Sequence, residues 1–161
     1  MSEIQYLMLS STLAFISCAA YALVFNAPRR ELFYCGLCGA ISWFFFAAFR
    51  DCLNRPFWGT VAGSAAMTFA ARFFSYRREC PSTIYHVPGI FPLVPGMLVY
   101  NTVTAMLDGD LLKMFGYALS VLKYSGAISI GTILVLILPY SVFRIGPTVS
   151  QIRARKQAAK Q

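Results

Sequence analysis

Residues 88–96 read Pro88-Gly89-Ile90-Phe91-Pro92-Leu93-Val94-Pro95-Gly96. They lie inside an apolar run, about residues 83–107, that is long enough to cross a bilayer. A proline in a helix interior removes a hydrogen-bond donor and clashes with the turn before it. Three prolines with flanking glycines predict an interrupted helix here. In hydrocarbon, a broken backbone persists only where protein buries it or where it lines a wet cavity. Half-helices that meet at mid-membrane are a way to build substrate and ion sites. This stretch is therefore the candidate working site.

The rest of the chain agrees with a membrane setting. Of its 161 residues, 58% are hydrophobic and only 12% charged, with a mean hydropathy of +0.60. A soluble domain of this size carries about a quarter charged residues. Four further apolar blocks flank or precede the interrupted one, at about residues 4–25, 32–49, 57–76 and 111–139. The expected fold is all-α: a polytopic membrane protein of about five transmembrane helices, the fourth broken at 88–96. Residues 1–143 form one transmembrane domain and 144–161 a basic tail. The net charge of +8 is spread in short clusters between apolar blocks, so it sets topology and builds no nucleic-acid face. Arg29/Arg30, Arg77/Arg78 and the tail fall on one side, the Arg50/Arg55 turn and the Asp108/Asp110 loop on the other. Positive charge favours the cytoplasm, which places the N-terminus outside and the C-terminus inside.

Small residues at helical spacing suggest packing faces. They are Ser10, Ala14, Ser17 and Tyr21 in the first block, and Gly59-x-x-x-Gly63 with Ala66 and Ala70 in the third. In the fifth block, Gly116, Ser120, Lys123, Ala127 and Gly131 form one stripe. Ser125, Ser129 and Thr132 form another on the opposite side, so that block is expected to pack on two sides. Arg72 is expected to snorkel toward the charged end made by Arg77, Arg78 and Glu79.

Few residues carry chemistry. Five cysteines (Cys18, Cys35, Cys38, Cys52, Cys80) give no disulfide framework, and Cys35-x-x-Cys38 lacks the further ligands zinc needs. No catalytic constellation or nucleotide fingerprint is present, so no cofactor, metal or catalytic residue is expected. His86 is a candidate proton relay or a neutral hydrogen-bonding residue. Lys123 either meets the carboxylate of a small substrate from within the membrane or snorkels to the outer surface. Tyr100, Asn101, Thr102 and Thr104 follow Gly96, where a half-helix start offers free N–H groups and a positive dipole end. Asn and Thr there also suit ties to neighbouring helices.

The phrase Leu23-Val24-Phe25-Asn26-Ala27-Pro28-Arg29-Arg30, with Gly36 and Gly39-Ala40, resembles the opening of the small subunit of the threonine/serine exporter family. The phrase at 88–96, followed by Tyr100, resembles that family's signature more closely. The resemblance runs from about residue 23 to 139. It implies ion-driven export of small hydroxy amino acids or small carboxylates across the cytoplasmic (inner) membrane. It also implies a larger membrane partner resembling the family's first domain, with possible homo-oligomers left open. Pro88, Gly89, Pro92, Pro95, Gly96 and Tyr100, with Asn26 and Pro28, are the positions that match family motifs. Asn101, Lys123 and His86 rest on the residue chemistry alone. An intramembrane enzyme would need paired acids, bases or a metal set, which the few acids near span ends do not supply. A non-transporting scaffold is the other alternative, and it gives no reason for three prolines at mid-span.

Overall fold

The computed structural model describes residues 3–139 and 142. The described residues form six α-helices and no strand: α1 (Glu3–Val24), α2 (Leu32–Leu53), α3 (Pro56–Arg78), α4 (Thr83–Ile90), α5 (Gly96–Leu107) and α6 (Leu111–Leu136). A single 3-10 turn (Phe91–Leu93) joins α4 to the break. Three helices, α1, α2 and α6, are long and apolar enough to cross a membrane. The bent pair formed by α4 with its 3-10 turn and α5 makes a fourth. Five apolar crossings are therefore not what the helices show by composition. The exception is α3, long enough at 23 residues but carrying Thr60, Ser64, Thr68, Arg72 and Ser75 as buried side chains. The expected basic tail at 144–161 lies outside the described residues.

The polarity of α3 follows from its place at the centre, between α2, α4 and α6. Its hydroxyls turn back on the backbone: Thr60 donates to the Pro56 carbonyl at 3.0 Å, Ser64 to Val61 at 3.0 Å and Thr68 to Ser64 at 2.7 Å. Each is satisfied within the helix, so α3 can be buried without being apolar. The Gly59/Gly63 ridge does face another helix. A Cβ on Gly63 would lie 2.7 Å from the Ser42 carbonyl oxygen of α2, closer than any side chain tolerates.

Two expected faces are corrected. The first helix buries Ala14, Cys18 and Ala22 against α2, while Ser17 faces outward. The buried stripe is rotated from the weakly polar one because Cys18 and Ala22 are small enough for close contact and need no hydrogen-bond partner. The sixth helix packs on one side only within the chain. Ala127, Ile128, Gly131 and Val135 are buried, and a Cβ on Gly131 would collide with Ser64 Oγ and the Val61 carbonyl oxygen. Ser125 and Ser129 are exposed, because no helix among the described residues covers that side.

Arg72 does not snorkel. It is 8% exposed, and its Nη1 donates to the carbonyls of Val135 (2.8 Å), Leu136 (3.1 Å) and Leu138 (2.9 Å). The last carbonyls of a helix lack intrahelical partners and carry the negative end of its dipole. A guanidinium held at that end answers both needs. This contact fixes the sense of α6, which runs alongside α3 in the same direction. Phe57, in the first turn of α3, lies beside Lys123. Residues 111–122 of α6 therefore extend about 18 Å beyond the start of α3, at 1.5 Å per residue. The helix α5 packs on this projecting half.

Candidate functional site

The interruption is narrower than nine residues. Helix α4 continues through Pro88 and Gly89. Pro88 has no N–H to offer the Ile84 carbonyl one turn back, and Cys35 of α2 donates its thiol to that oxygen instead, at 3.3 Å. A neighbouring side chain thus satisfies the group the proline frees. Gly89 is buried where a Cβ would come within 3.0 Å of Cys38 and Met67. The true break is at Val94–Pro95. Val94 is extended (φ −62°, ψ 127°), the conformation favoured before proline, and Pro95 follows at ψ 58°. The axis turns by 56° there.

At the start of α5, the Gly96 N–H meets the Val94 carbonyl at 2.8 Å and the Val99 N–H meets that of Pro95 at 3.1 Å. The N–H groups of Met97 and Leu98 have no helical carbonyl to meet. They border a hollow of about 320 Å³ lined by Pro92, Pro95 and Gly96, by Trp43 and Phe46 of α2 and by Tyr124 of α6, among others. Free N–H groups at a helix start favour an anion. The aromatic wall around them suits a small ligand with an apolar part.

Of the residues named from sequence, Pro92, Pro95 and Gly96 line this hollow. Asn101 does not; it is half-buried on the face of α5 turned toward α6, in a second hollow. Tyr100 is 65% exposed on the outer face. Lys123 is exposed, with its ammonium 5.9 Å from the Phe57 ring and 6.0 Å from that of Tyr124. It stands at the rim of the first hollow, outside its lining. His86 is half-buried on α4 and lines neither hollow.

Asn26 and Pro28 have a structural explanation. Asn26 adopts φ 54° just past α1, its N–H meeting the Leu23 carbonyl and the Ala27 N–H that of Ala22, both at 3.0 Å. This is a left-handed helix stop, a conformation that asparagine tolerates better than most residues. Pro28 then prevents continuation. Both residues face Thr83, Ile84 and Pro88 across a hollow of about 200 Å³, so the two distinctive sequence phrases meet in space.

The sequence reading missed the group that anchors α4. Glu31 is 5% exposed and accepts from Arg78 Nη2 at 2.6 Å, Arg78 Nε at 3.0–3.1 Å and the Tyr85 hydroxyl at 2.7 Å. The Arg78 guanidinium also lies 4.8 Å from the Tyr34 ring centroid. One carboxylate thus ties the α1–α2 turn to the end of α3 and to α4. The signal available was an acid directly following Arg29 and Arg30 at the start of an apolar block. Burial alone would raise the Glu31 pKa, but the bonds from Arg78 and Tyr85 outweigh it and hold it below the usual carboxylate range. A lowered folded pKa gives stability that is fully present above the ordinary value of about 4.3 and is lost as pH falls through the lowered one. The expected result for Glu31→Gln is a loss of about 2 kcal/mol at pH 7, since the pair is largely but not wholly buried. Thermal unfolding in detergent checks it. Wild type is expected to weaken below about pH 4, and the variant to lose this acid limb.

Residues 10–138 match the family described as Threonine/Serine exporter, ThrE. A protein of Mycobacterium tuberculosis (strain ATCC 25618 / H37Rv), named "Probable threonine/serine exporter", is 29% identical over 92 residues, covering 54% of this chain and 17% of its own length. The chain thus spans about a sixth of that relative. No solved structure matches significantly. With most of its length matched, and helices apolar enough to span a bilayer, the chain is a multi-pass membrane protein that belongs to the threonine/serine exporter family.

Proposed function

We propose that this chain is the membrane subunit of a two-component exporter of small hydroxy amino acids or small carboxylates, driven by an ion gradient. The observation that carries the reading is the break at Val94–Pro95, which separates a firmly held half-helix from a lightly held one. On one side, α4 is fixed to α1, α2 and α3 by Tyr85, Glu31 and the Gly89 contact. On the other, α5 packs on the projecting half of α6. Rotation at the Pro92–Gly96 hinge opens or closes the hollow where the Met97 and Leu98 N–H groups wait for a carboxylate. Family membership supports a transporter over an enzyme.

In this reading the chain occupies the cytoplasmic (inner) membrane with its N-terminus outside. Residues 1–143 are the transmembrane domain and 144–161 a cytoplasmic tail. The polar α3 crosses as the fifth, central span, shielded by its neighbours. Arg30, Glu31 and Arg78 share one end of the bundle, which supports placing both basic clusters inside. The relative's much greater length supports a larger partner that supplies the rest of the pathway.

The test is efflux of preloaded L-threonine from vesicles holding this chain with its larger partner, either one alone, or neither. Efflux is expected only from the pair, and is expected to stop when the ion gradient is dissipated. Equal efflux from vesicles without the pair would refute the reading.

A further inference from the structure

The hairpin of α5 and the first half of α6 reverses the usual arrangement of polarity. Its outer faces are apolar: Met97, Val103, Met106 and Leu107 on α5, and Leu112, Phe115, Leu119 and Leu122 on α6, are all exposed. Its polar groups gather where the two helices meet, Asn101, Thr104 and Tyr117 half-buried and Asp108 and Lys113 exposed. Asn101, Thr104 and Asp108 recur at helical spacing on one face of α5, and Asp110, Lys113 and Tyr117 on the facing side of α6. Together with Ala105 these six line one hollow of about 340 Å³.

Only part of this polar lining is internally satisfied. Thr104 donates to the Tyr100 carbonyl at 3.1 Å. Asp110 caps α6 by accepting the Lys113 N–H at 3.1 Å, and its other oxygen holds Lys113 Nζ at 2.8 Å. An ammonium has three N–H donors, so two remain on Lys113. The side chains of Asn101, Asp108 and Tyr117 make no hydrogen bond or ion pair with any described residue. The half-buried amide of Asn101, left without a partner between the two helices, costs free energy unless something else meets it.

We infer that this hollow is a second binding site, distinct from the one beside Gly96, and that its ligand is a small zwitterion bearing a hydroxyl. Asp108 and the Asn101 carbonyl oxygen take the ammonium. Lys113, steadied by Asp110, takes the carboxylate with its two free donors. Tyr117 meets the hydroxyl. The site begins about one turn along α5 from the first hollow, Asn101 lying just past Leu98. The identity of the ligand as a hydroxy amino acid rests on the function proposed above; the charge pattern of the site does not.

The experiment measures binding to the full chain in nanodiscs by saturation-transfer NMR. The probes are L-threonine, 3-hydroxybutyrate, which lacks the ammonium, and threoninol, which lacks the carboxylate. Wild type should prefer L-threonine to each analogue by about tenfold, the scale of one charge-assisted contact. Asp108→Asn should erase the preference over 3-hydroxybutyrate, and Lys113→Gln the preference over threoninol. Both residues are exposed, so neither substitution threatens folding. Unchanged selectivity in both variants, or no binding of L-threonine by wild type, overturns the inference. The vesicle efflux assay fails or succeeds separately: export by the pair with unaltered KM in Asp108→Asn would leave the exporter reading standing and remove this site.

Discussion

Replacing Arg72 by methionine is expected to free the end of α6 from α3. Methionine fills much the same apolar volume, so the change isolates the guanidinium. Three carbonyls, those of Val135, Leu136 and Leu138, then lose their common donor in a buried place. Each charge-assisted hydrogen bond contributes about 1.5–3 kcal/mol, and bonds that share one donor group do not add. A net loss of about 3 kcal/mol is the reasonable scale. The buried face of α6 comprises Ala127, Ile128, Gly131 and Val135, so the loss falls on the local opening of that face. Amide exchange across residues 127–136 should accelerate roughly hundredfold, the factor that such a free energy implies. Arg72→Lys keeps a charge and a donor near the dipole end and should lie between the two. Exchange in Arg72→Met indistinguishable from wild type would show that α6 is held by packing alone.

The second large effect is expected at the hinge. Converting Pro92 and Pro95 together to alanine removes both obstacles to helix between α4 and α5. Relative to alanine, each proline disfavours a helix interior by about 3 kcal/mol. Much of the penalty that keeps Val94 extended disappears with Pro95. The segment should then run helical from Thr83 to Leu107, the 56° bend should relax and the hollow at Gly96 should close. Export should fall at least about a hundredfold while the protein still inserts, because moving parts that are joined rigidly cannot alternate. Spin labels on α4 and α5 read the straightening, and vesicle efflux reads the flux. Pro95→Ala alone should do more than Pro92→Ala alone. Pro92 sits in the first turn of a short 3-10 segment, where a missing N–H is tolerated and its neighbours are already helical. Wild-type efflux from the double variant would refute the hinge role.

Both predictions show where pattern reading reached and where it stopped. Pro95 obeys a local rule: a proline disfavours helical geometry at the residue before it, a preference that Val94 follows and that Val87 and Phe91 do not. Pro88 obeys a local rule too, yet the helix runs through it, since Cys35, some fifty residues earlier, supplies the missing donor. Asn101 and Gly96 are close in sequence and read as one site there. The turn of the helix separates them, one onto the break and the other onto the α6 side. Lys123 stood out as a charge inside an apolar block. Its position at the rim depends on how far α6 is displaced along α3, which no residue of α6 states by itself.

The sequence alone determined that the chain is helical and membrane-bound, that its fourth segment is interrupted within residues 88–96, and which family phrases it carries. These follow from hydropathy, from proline's fixed geometry and from short motifs, all readable within a few neighbouring residues. The tertiary structure alone decided that Arg72 caps α6, that Glu31 anchors α4 through Arg78 and Tyr85, and that Asn101, Asp108 and Lys113 face one hollow. Those contacts join residues far apart in the chain, and a buried charge finds its partner only when the helices that carry both have packed.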